Sequence, residues 1–426
     1  MTDTPSSALP VADGQAPHEA LDVDVAIVGA GPVGLALAGW LAQRRGAGAL
    51  SVALIDARAR EAALADPRVL ALSEGSRSLL APLGWPEDAT PIERIHVSQR
   101  GHFGRVMLDR HDYGLPALGH VMRYGALVSA LSGAVDRGGP GARVQRLDGV
   151  RALPYAAQGD SVHLPLQAAA GGAAPGALRA RVLVSAEGGV FSAGAGTGPL
   201  SRLAPDAPRR AYGQSALIGL VCCERPAVGL ACERFTADGP LALLPLSRAR
   251  VAPGTPRADY ALVWCDTPQT SQRRLQADER TVLDELASAF GGRFGRFTSL
   301  SGRAMFELGM QFGSTRLAPR VVAIGNAAQI LHPVAGQGLN LGLRDARALA
   351  DLLSTVGATP EALGELDRRR GFDRRLTGTL SDLLARGFVS RLPGIGHARG
   401  LGLFALEALP GAKSLLARQM IYGARR

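Results

Sequence analysis

One short segment near the N-terminus constrains the fold of this chain more than any other. Residues 23–28 (VDVAIV) form a short apolar run rich in β-branched side chains, typical of a strand buried on both faces. Gly29, Gly31 and Gly34 follow with the spacing G-x-G-x-x-G, and helical spacing then extends over 35–41. A strand, a glycine turn and a helix in this order indicate a dinucleotide-binding unit, and therefore an α/β fold with a parallel sheet.

The residue types in this unit match what a bound pyrophosphate requires. Gly29 permits the tight turn, Gly31 lets the backbone approach the phosphates, and Gly34 allows close packing of the helix on the strand. The helix N-terminus offers free N–H groups and a partial positive charge. A second apolar run, 51–55, ends in Asp56, whose carboxylate can accept hydrogen bonds from both hydroxyls of a ribose. The sequence therefore predicts a nucleotide cofactor at this turn.

A second unit of the same kind lies towards the C-terminus. Residues 321–324 are a predicted strand, Gly325 and Asn326 form a turn, and 336–340 (GQGLN) open a predicted helix. This helix directs a second set of backbone donors at an anionic or electron-rich group. An NAD dehydrogenase has no use for such a site here. An elongated FAD does, with its pyrophosphate at the first helix and its flavin ring at the second.

Composition excludes several functional classes. The formal charge is +10, but 46 of the 47 basic residues are arginine and they form no dense block, so no nucleic-acid partner is predicted. The four cysteines show neither a C-x-x-C pair nor histidine partners at zinc spacing, so no metal site is predicted. No apolar run reaches the ~18 residues of a transmembrane helix. Residues 1–20 are polar and are predicted to be a disordered extension.

Between the two nucleotide-binding units the sequence changes character. Residues 91–120 alternate between polar and apolar positions, and apolar runs between 211 and 265 predict a mostly antiparallel sheet over about 205–310. A strand pair is expected around Val144 and Val162. The predicted domains are a discontinuous cofactor-binding domain (21–90, 121–204 and 311–360), a substrate-binding β domain (91–120 and 205–310) and a C-terminal helical region (361–426).

Two motifs make the chain resemble a known class of enzymes. GAGPVG at 29–34 and GNAAQILHPVAGQGLNLGLRDA at 325–346 are similar to the group A flavoprotein monooxygenases, the aromatic hydroxylases of the p-hydroxybenzoate hydroxylase fold. Within that class, the segments 67–76, 93–104 and 232–247 most resemble the FAD-dependent hydroxylases of ubiquinone biosynthesis, especially the 2-polyprenyl-6-methoxyphenol hydroxylase branch. The resemblance extends over roughly residues 23 to 420.

The resemblance implies a fold, a cofactor and a reaction. The expected fold is a Rossmann-like FAD-binding domain interleaved with the β domain, followed by C-terminal helices. NAD(P)H, with NADPH as the expected donor, reduces FAD; O₂ then adds to the flavin, and the C4a-hydroperoxide hydroxylates a polyprenylated phenol. Two alternatives stay open: a hydroxylase of small soluble aromatics, and a non-catalytic scaffold subunit of a ubiquinone-biosynthesis assembly.

The resemblance also assigns site residues along the whole chain. Arg68 is expected at the FAD phosphates, Asn326 at the ribityl chain, and Pro333 at the catalytic position on the substrate side. The backbone of Gly338 is expected to contact the flavin ring. The full set of expected cofactor contacts is Gly29, Gly31, Gly34, Asp56, Arg68, Glu187, Gly188, Asn326, Gly336, Gly338, Leu339 and Asn340.

Three side chains are left with two interpretations each. His332 is either a catalytic acid or base, because an ordinary histidine titrates near neutrality, or a structural histidine hydrogen-bonded beneath the flavin loop. Glu233 and Arg234 are expected to form an ion pair within the sheet, with Arg234 facing the phenol as the alternative.

The chain departs from the family pattern at two motifs. Glu187 stands where the family has aspartate before Gly188, and Ser192 is displaced by one position from the family's serine. Many relatives have Gly-Asp where this chain has Asn326, although the ubiquinone branch commonly carries asparagine there. Asparagine can still bond a ribityl hydroxyl, so we expect both changes to be tolerated.

The C-terminal region mixes apolar runs with Arg391, Arg399, Lys413, Arg418, Arg425 and Arg426. A basic amphipathic helix can lie on an anionic membrane, and a polyprenyl phenol resides in the membrane. The alternative is a helical cap packed on the flavin domain. The expected partners are therefore the polyprenyl phenol, O₂, and either the membrane or a biosynthetic complex, for a cytoplasmic protein peripheral at the inner face of the membrane.

Overall fold

The computed structural model describes residues 21–44, 49–137, 144–169, 176–188, 209–246, 258–333, 336–389 and 395–424. The predicted disordered extension, 1–20, lies outside these residues, as does Ser192.

The described residues form 20 strands and ten α-helices. The strands are β1 (Leu21–Val28), β2 (Val52–Asp56), β3 (Val69–Ser73), β4 (Thr90–Ile92), β5 (Arg94–Gln99), β6 (Arg105–Asp109), β7 (Gly119–Arg123), β8 (Val144–Asp148), β9 (Val150–Ala152), β10 (Ala156–Gln158), β11 (Ser161–Ala168), β12 (Ala177–Ser185), β13 (Arg209–Cys223), β14 (Leu230–Phe235), β15 (Pro240–Pro245), β16 (Tyr260–Asp266), β17 (Phe297–Phe312), β18 (Arg316–Ala318), β19 (Val321–Ala323) and β20 (Gln329–Ile330). The helices are α1 (Pro32–Ala42), α2 (Arg60–Leu64), α3 (Glu74–Leu80), α4 (Tyr124–Asp136), α5 (Pro268–Gln276), α6 (Glu279–Phe290), α7 (Gln337–Val356), α8 (Pro360–Val389), α9 (Ile395–Ala408) and α10 (Pro410–Tyr422).

The first sheet holds the glycine motif at the edge where its parallel strands end. β1 pairs in parallel with β2 and β12, and β19 pairs in parallel with β12. One face of the parallel strands packs on α1, α4 and α7, and the other packs on residues of β9 and β11 from the antiparallel part of the same sheet. Burial on both faces explains why residues 25–28 and 52–55 are apolar throughout. This sheet confirms the predicted Rossmann-like unit.

The first sheet also corrects one strand prediction. β8, which contains Val144, pairs in parallel with β2. β11, which contains Val162, pairs with β9, β10 and β12 instead. The expected pair between Val144 and Val162 is therefore wrong. The physical reason is that α4 returns the chain to the outer edge of the parallel sheet, where β8 finds a partner that lies far away in sequence.

The second sheet is mostly antiparallel, as predicted. Its strand order is β20-β17-β13-β16-β15-β14-β5-β6, and β14 with β5 is the parallel pair. α5 and α6 cover its outer face, where Leu217 and Trp264 are buried. Its inner face, with Val97 and Phe235, packs against α8. Together the two sheets confirm the expected α/β architecture with an interleaved β domain.

The C-terminal helices pack on the rest of the chain through buried charges. Arg344 of α7 bonds Asp373 of α8 at 2.9 Å, and Arg370 bonds Asp345 at 2.8 Å. The backbone N–H of Ala424 donates to Asp373 at 2.7 Å. These pairs are nearly inaccessible to solvent, so breaking one partner would leave an uncompensated buried charge. The network therefore ties the chain end to α7 and α8.

Among the described helices, none taken singly has both the length and the apolar character needed to cross a membrane. Gly396–Ala408 and Pro410–Tyr422 meet that requirement only as a pair, and they are bent by 96° relative to each other.

Candidate active site

The first glycine turn is shaped by backbone contacts that only glycine allows. Gly29 has a φ of 109°, and a Cβ atom there would lie 2.7 Å from the carbonyl carbon of Ala186. A Cβ atom at Gly34 would lie 1.9 Å from the carbonyl oxygen of Gly29. Gly31 is the N-cap of α1, and no side chain caps that helix. The first N–H groups of α1 therefore lack a side-chain acceptor, which suits a pyrophosphate.

The carboxylate predicted to bind a ribose is held in place by this turn. Asp56 Oδ2 accepts a hydrogen bond from the backbone N–H of Ala30 at 2.7 Å, and Oδ1 accepts one from the N–H of Arg58 at 2.8 Å. Oδ1 also accepts a longer hydrogen bond from Nε of Arg58 at 3.4 Å, whereas Oδ2 keeps a second lone pair. The geometry therefore leaves Asp56 able to accept hydrogen bonds from the hydroxyls of a ribose.

Glu187 lies at the same edge of the first sheet. Its Oε2 atom is buried and has no hydrogen-bond partner within the described residues. Burial, with a smaller contribution from the charge of Asp56, raises the pKa of Glu187 to about 7. A buried oxygen without a donor is costly, so this site fits a ligand that brings hydroxyl or amine groups. Gly188 is exposed, and a Cβ atom there would meet no atom within 4 Å.

Arg68 reaches the glycine turn through an aromatic residue that sequence reasoning missed. It pairs with Asp66 at 2.6 Å, and its guanidinium lies 4.7 Å from the centre of the Tyr124 ring. The hydroxyl of Tyr124 would lie 3.3 Å from a Cβ atom at Gly31 and accepts a hydrogen bond from Arg58 at 3.3 Å. Arg58 could have been predicted near the ribose site because it lies two residues after Asp56. Nothing in the sequence around Tyr124 predicts that its side chain lies at the glycine turn. Phosphate contact by Arg68 stays a prediction.

The second helix N-terminus, that of α7, is also left without a side-chain cap. Gly336 is its N-cap in the left-handed conformation, with φ 58°. Gln337 follows it, and the side chain of Gln337 donates to the backbone oxygen of Met420 on α10. A Cβ atom at Gly338 would lie 4.0 Å from the Oδ1 atom of Asn326, which places Asn326 beside the first turn of α7. The backbone donors of this turn therefore point to the region expected for the flavin.

Asn340 has a structural role that the resemblance did not imply. Its Oδ1 atom accepts hydrogen bonds from the N–H of Ser73 at 2.9 Å and from the hydroxyl of Ser76 at 2.7 Å. Its amide nitrogen donates to the backbone oxygen of Gly336 at 2.8 Å. The side chain is 3% exposed and thus links the start of α7 to the start of α3.

The two helix N-termini meet through small residues. A Cβ atom at Gly325 would lie 3.2 Å from Val33 in the first turn of α1, and one at Gly342 would lie 2.9 Å from the Cα atom of Gly325. Leu339, partly buried, packs on the same core. These contacts bring α1 and α7 together around Gly325.

His332 and Pro333 lie between α7 and the inner face of the second sheet. His332 is 1% exposed, and burial lowers its pKa to about 4, so the imidazole is neutral near pH 7. Its Nε2 atom lies 3.3 Å from Oε1 of Gln214, whose amide nitrogen donates to Asp238. Because this second bond orients the amide, Nε2 of His332 carries the proton. The geometry favours hydrogen bonding over proton abstraction by His332.

The expected ion pair between Glu233 and Arg234 is wrong. Successive side chains of a strand point to opposite faces, and these two residues are neighbours on β14. Arg234 lies on the outer face and donates to Ser98 at 3.2 Å, so it does not face the inner site either. Burial raises the pKa of Glu233 to about 7.

Comparisons with known proteins show which proteins the chain is similar to. The family model described as FAD binding domain matches residues 222–365. The chain is 31% identical to the 3-demethoxyubiquinol 3-hydroxylase of Escherichia coli over 400 residues, which cover 90% of this chain and 94% of that protein. It is 30% identical to ubiquinone hydroxylase UbiL of Rhodospirillum rubrum over 449 residues, covering 98% and 92%.

A solved structure extends the comparison to the fold. The p-nitrophenol 4-monooxygenase PnpA from Pseudomonas putida superposes with a TM-score of 0.71 at 15% identity, covering 95% of this chain and 100% of that one.

The fold and the paired helix N-termini define an FAD-dependent aromatic-ring monooxygenase of the p-hydroxybenzoate hydroxylase fold. Within that class, the full-length relatives show that the chain belongs to the family of FAD-dependent ubiquinone-biosynthesis hydroxylases. The expectations of FAD as cofactor and of this family are therefore confirmed.

Proposed function

We propose that this enzyme hydroxylates the aromatic ring of a polyprenylated phenol in ubiquinone biosynthesis. The observation that carries the proposal is the apolar inner face of the second sheet, where Val97, Phe235, Leu384 and Ala385 pack together with Tyr212. The ring of Tyr212 lies edge-on to His332, 5.2 Å between ring centres. The apolar character of this face suits an aromatic ring with a hydrocarbon tail, and the names of the relatives supply the substrate class.

The described residues fit FAD at both ends of the site. Gly29, Gly31 and Asp56 would hold the pyrophosphate and the ribose, and the first turn of α7 would hold the flavin ring. When bound, FAD supplies electron storage from NAD(P)H and activation of O₂.

The protein's own contribution is positioning, hydrogen bonding and exclusion of water. Tyr212 donates to Asp382 of α8 at 2.9 Å, which fixes one wall of the site. The N–H of His332 is already committed to Gln214, so the donors available in this region are the backbone N–H groups that follow Gly336. A phenol is a better nucleophile when it is deprotonated, and donors near its oxygen favour the phenolate. We infer that this face lowers the pKa of the bound phenol.

We also propose that the enzyme contacts the membrane through its C-terminal helices. Four apolar side chains of α9, α10 and the turn between them are more than half exposed: Leu401, Phe404, Leu409 and Leu415. α10 is also a cap on the flavin domain, since Ser73 donates to the backbone oxygen of Ile421 at 2.7 Å. Lys413 is held by Glu407 and the backbone of Met107, so it contributes little free charge to a lipid face.

Two measurements test this function. Purified protein should be yellow, with the visible absorption of bound flavin, and colourless protein would leave the scaffold alternative standing. The flavin-loaded enzyme should hydroxylate a short-chain prenylphenol and leave p-hydroxybenzoate unchanged, whereas the reverse preference would select the small-aromatic alternative. Deletion of the gene should cause one unhydroxylated prenylated ring to accumulate, which would identify the substrate.

A further inference from the structure

A cavity of about 770 Å³ lies outside the active site, between the outer face of the second sheet and α9. Its wall includes His96, Ser98, Arg105, Arg234, Arg293 and Phe404. Arg234 alternates along β14 with Phe235, whose side chain packs with Tyr212 on the inner face. The cavity is therefore separated from the proposed flavin and phenol site by the thickness of the sheet.

The cavity concentrates positive charge. Within the described part of the chain, no carboxylate lies within 4.0 Å of the guanidinium of Arg105, Arg234 or Arg293. Burial, together with the charges of Arg100 and Arg293, lowers the pKa of Arg234. The acidic wall residue, Glu407, already accepts hydrogen bonds from Met107 and Lys413. Like charges held together without an anion raise the free energy of the folded state.

Two polar atoms on residues that line the cavity lack hydrogen-bond partners. The Nε atom of Arg234 is buried and makes no hydrogen bond among the described residues. The same is true of Nε2 of His96, a side chain that is only 6% exposed. Buried polar atoms of this kind are normally satisfied, so Arg234 and His96 each keep an unused hydrogen-bonding atom beside the cavity.

We propose that this cavity binds the phosphate group of a larger molecule. A phosphate group offers several acceptor oxygens and a negative charge, and arginine guanidinium groups bind it in a bidentate manner. The volume lies in the range of ligand sites and far exceeds one phosphate, and the exposed ring of Phe404 gives the remainder an apolar wall.

The phosphate group could come from either of two sources. The apolar side chains of α9 at the rim suit the headgroup region of an anionic phospholipid, and the cavity equally suits a soluble phosphate ester. The inference does not depend on the proposed hydroxylation, because it rests on the opposite face of the sheet.

The test uses the full-length, flavin-loaded protein and two cavity variants, Arg293→Gln and Arg105→Gln. The control is Arg280→Gln, an exposed position on α6 that removes the same charge. Calorimetric titration with pyrophosphate and co-sedimentation with vesicles of phosphatidylglycerol and phosphatidylcholine are the two arms. We expect each cavity variant to lose about tenfold in affinity in at least one arm, as expected for one charge-assisted contact, with the control within about twofold of wild type.

The two arms separate the sources. Binding to anionic vesicles alone identifies a lipid headgroup, and binding to pyrophosphate identifies a soluble phosphate ester. The proposal is overturned if neither probe binds, if the cavity variants bind as wild type does, or if the control weakens binding as much as they do. Retention of the flavin spectrum in each variant shows that the fold is intact. If one of the two cavity variants misfolds, the other still tests the proposal.

Discussion

The two helix N-termini of the active site are built in different ways. At α1, the turn is shaped by contacts between backbones, such as the Gly34 position against the oxygen of Gly29. At α7, the first turn is held by a side chain, Asn340, which bonds Ser73 from 267 residues away in sequence. The α1 end of the proposed site therefore depends on local steric constraints, while the α7 end depends on a buried polar network. The two ends should fail differently when they are mutated.

The largest effect is expected at the backbone-shaped end. Gly34→Ala would place a Cβ atom 1.9 Å from the oxygen of Gly29, so α1 would have to move away from β1. We expect loss of stability of more than about 3 kcal/mol and no bound flavin. Urea unfolding and the flavin-to-protein ratio measure this. The matched control is Gly188→Ala, which meets no atom within 4 Å and should change the free energy of unfolding by less than about 0.5 kcal/mol.

A smaller effect is expected at the polar end. Asn340→Ala removes three hydrogen bonds and leaves the N–H of Ser73 and the hydroxyl of Ser76 without their acceptor. We expect a loss of about 3 kcal/mol or less, with the protein still folded at 25 °C. Flavin affinity should fall because the first turn of α7 loosens. Asn340→Asp keeps the acceptor and should recover part of the loss; equal stability of the alanine variant and wild type would contradict the network.

The pH dependence of stability reports on His332. The pKa of His332 is about 4 in the folded protein and near 6.5 in the unfolded protein. Between pH 6.5 and 4 the unfolded state therefore binds a proton that the folded state does not bind. Stability should therefore fall as pH drops from about 6.5 to about 4, by up to about 3 kcal/mol from this one group. Unfolding free energies at pH 7.5 and 5 should differ less in His332→Gln than in wild type. An unchanged difference would exclude the buried neutral histidine.

The smallest effect, and one of opposite sign, is expected from Glu187. Burial raises the pKa of Glu187 to about 7 in the folded protein, above the ordinary value of 4.5. Between these two pH values the folded state binds a proton that the unfolded state does not bind. The free energy of unfolding should therefore rise as pH falls from about 7 to 4.5. Without flavin, Glu187→Gln should stabilise the protein at pH 8 by about 1 kcal/mol or less and change little at pH 5. Glu187→Asp, the residue typical of the family, provides the comparison. A stabilisation that is equal at both pH values would contradict this assignment.

The glycine turn and the position of Asp56 could be predicted from the sequence because their constraints are local. The spacing of Gly29, Gly31 and Gly34 encodes the turn, and Asp56 ends the next strand. Tyr124 could not be found this way, since it reaches the turn only through the packing of α4 against α1. Its contact with Arg68 depends on the same packing.

The sequence by itself determined the two strand-turn-helix units, because each spans only about 30 consecutive residues and depends on local backbone geometry. Tertiary structure alone decided which strand β8 joins, which face of the sheet Arg234 occupies, and which groups Asn340 bonds. The physical reason is that a strand presents both faces equally until its sheet partner and register are chosen. That choice, made by residues far apart in the chain, separated the flavin site from the arginine-lined cavity behind it.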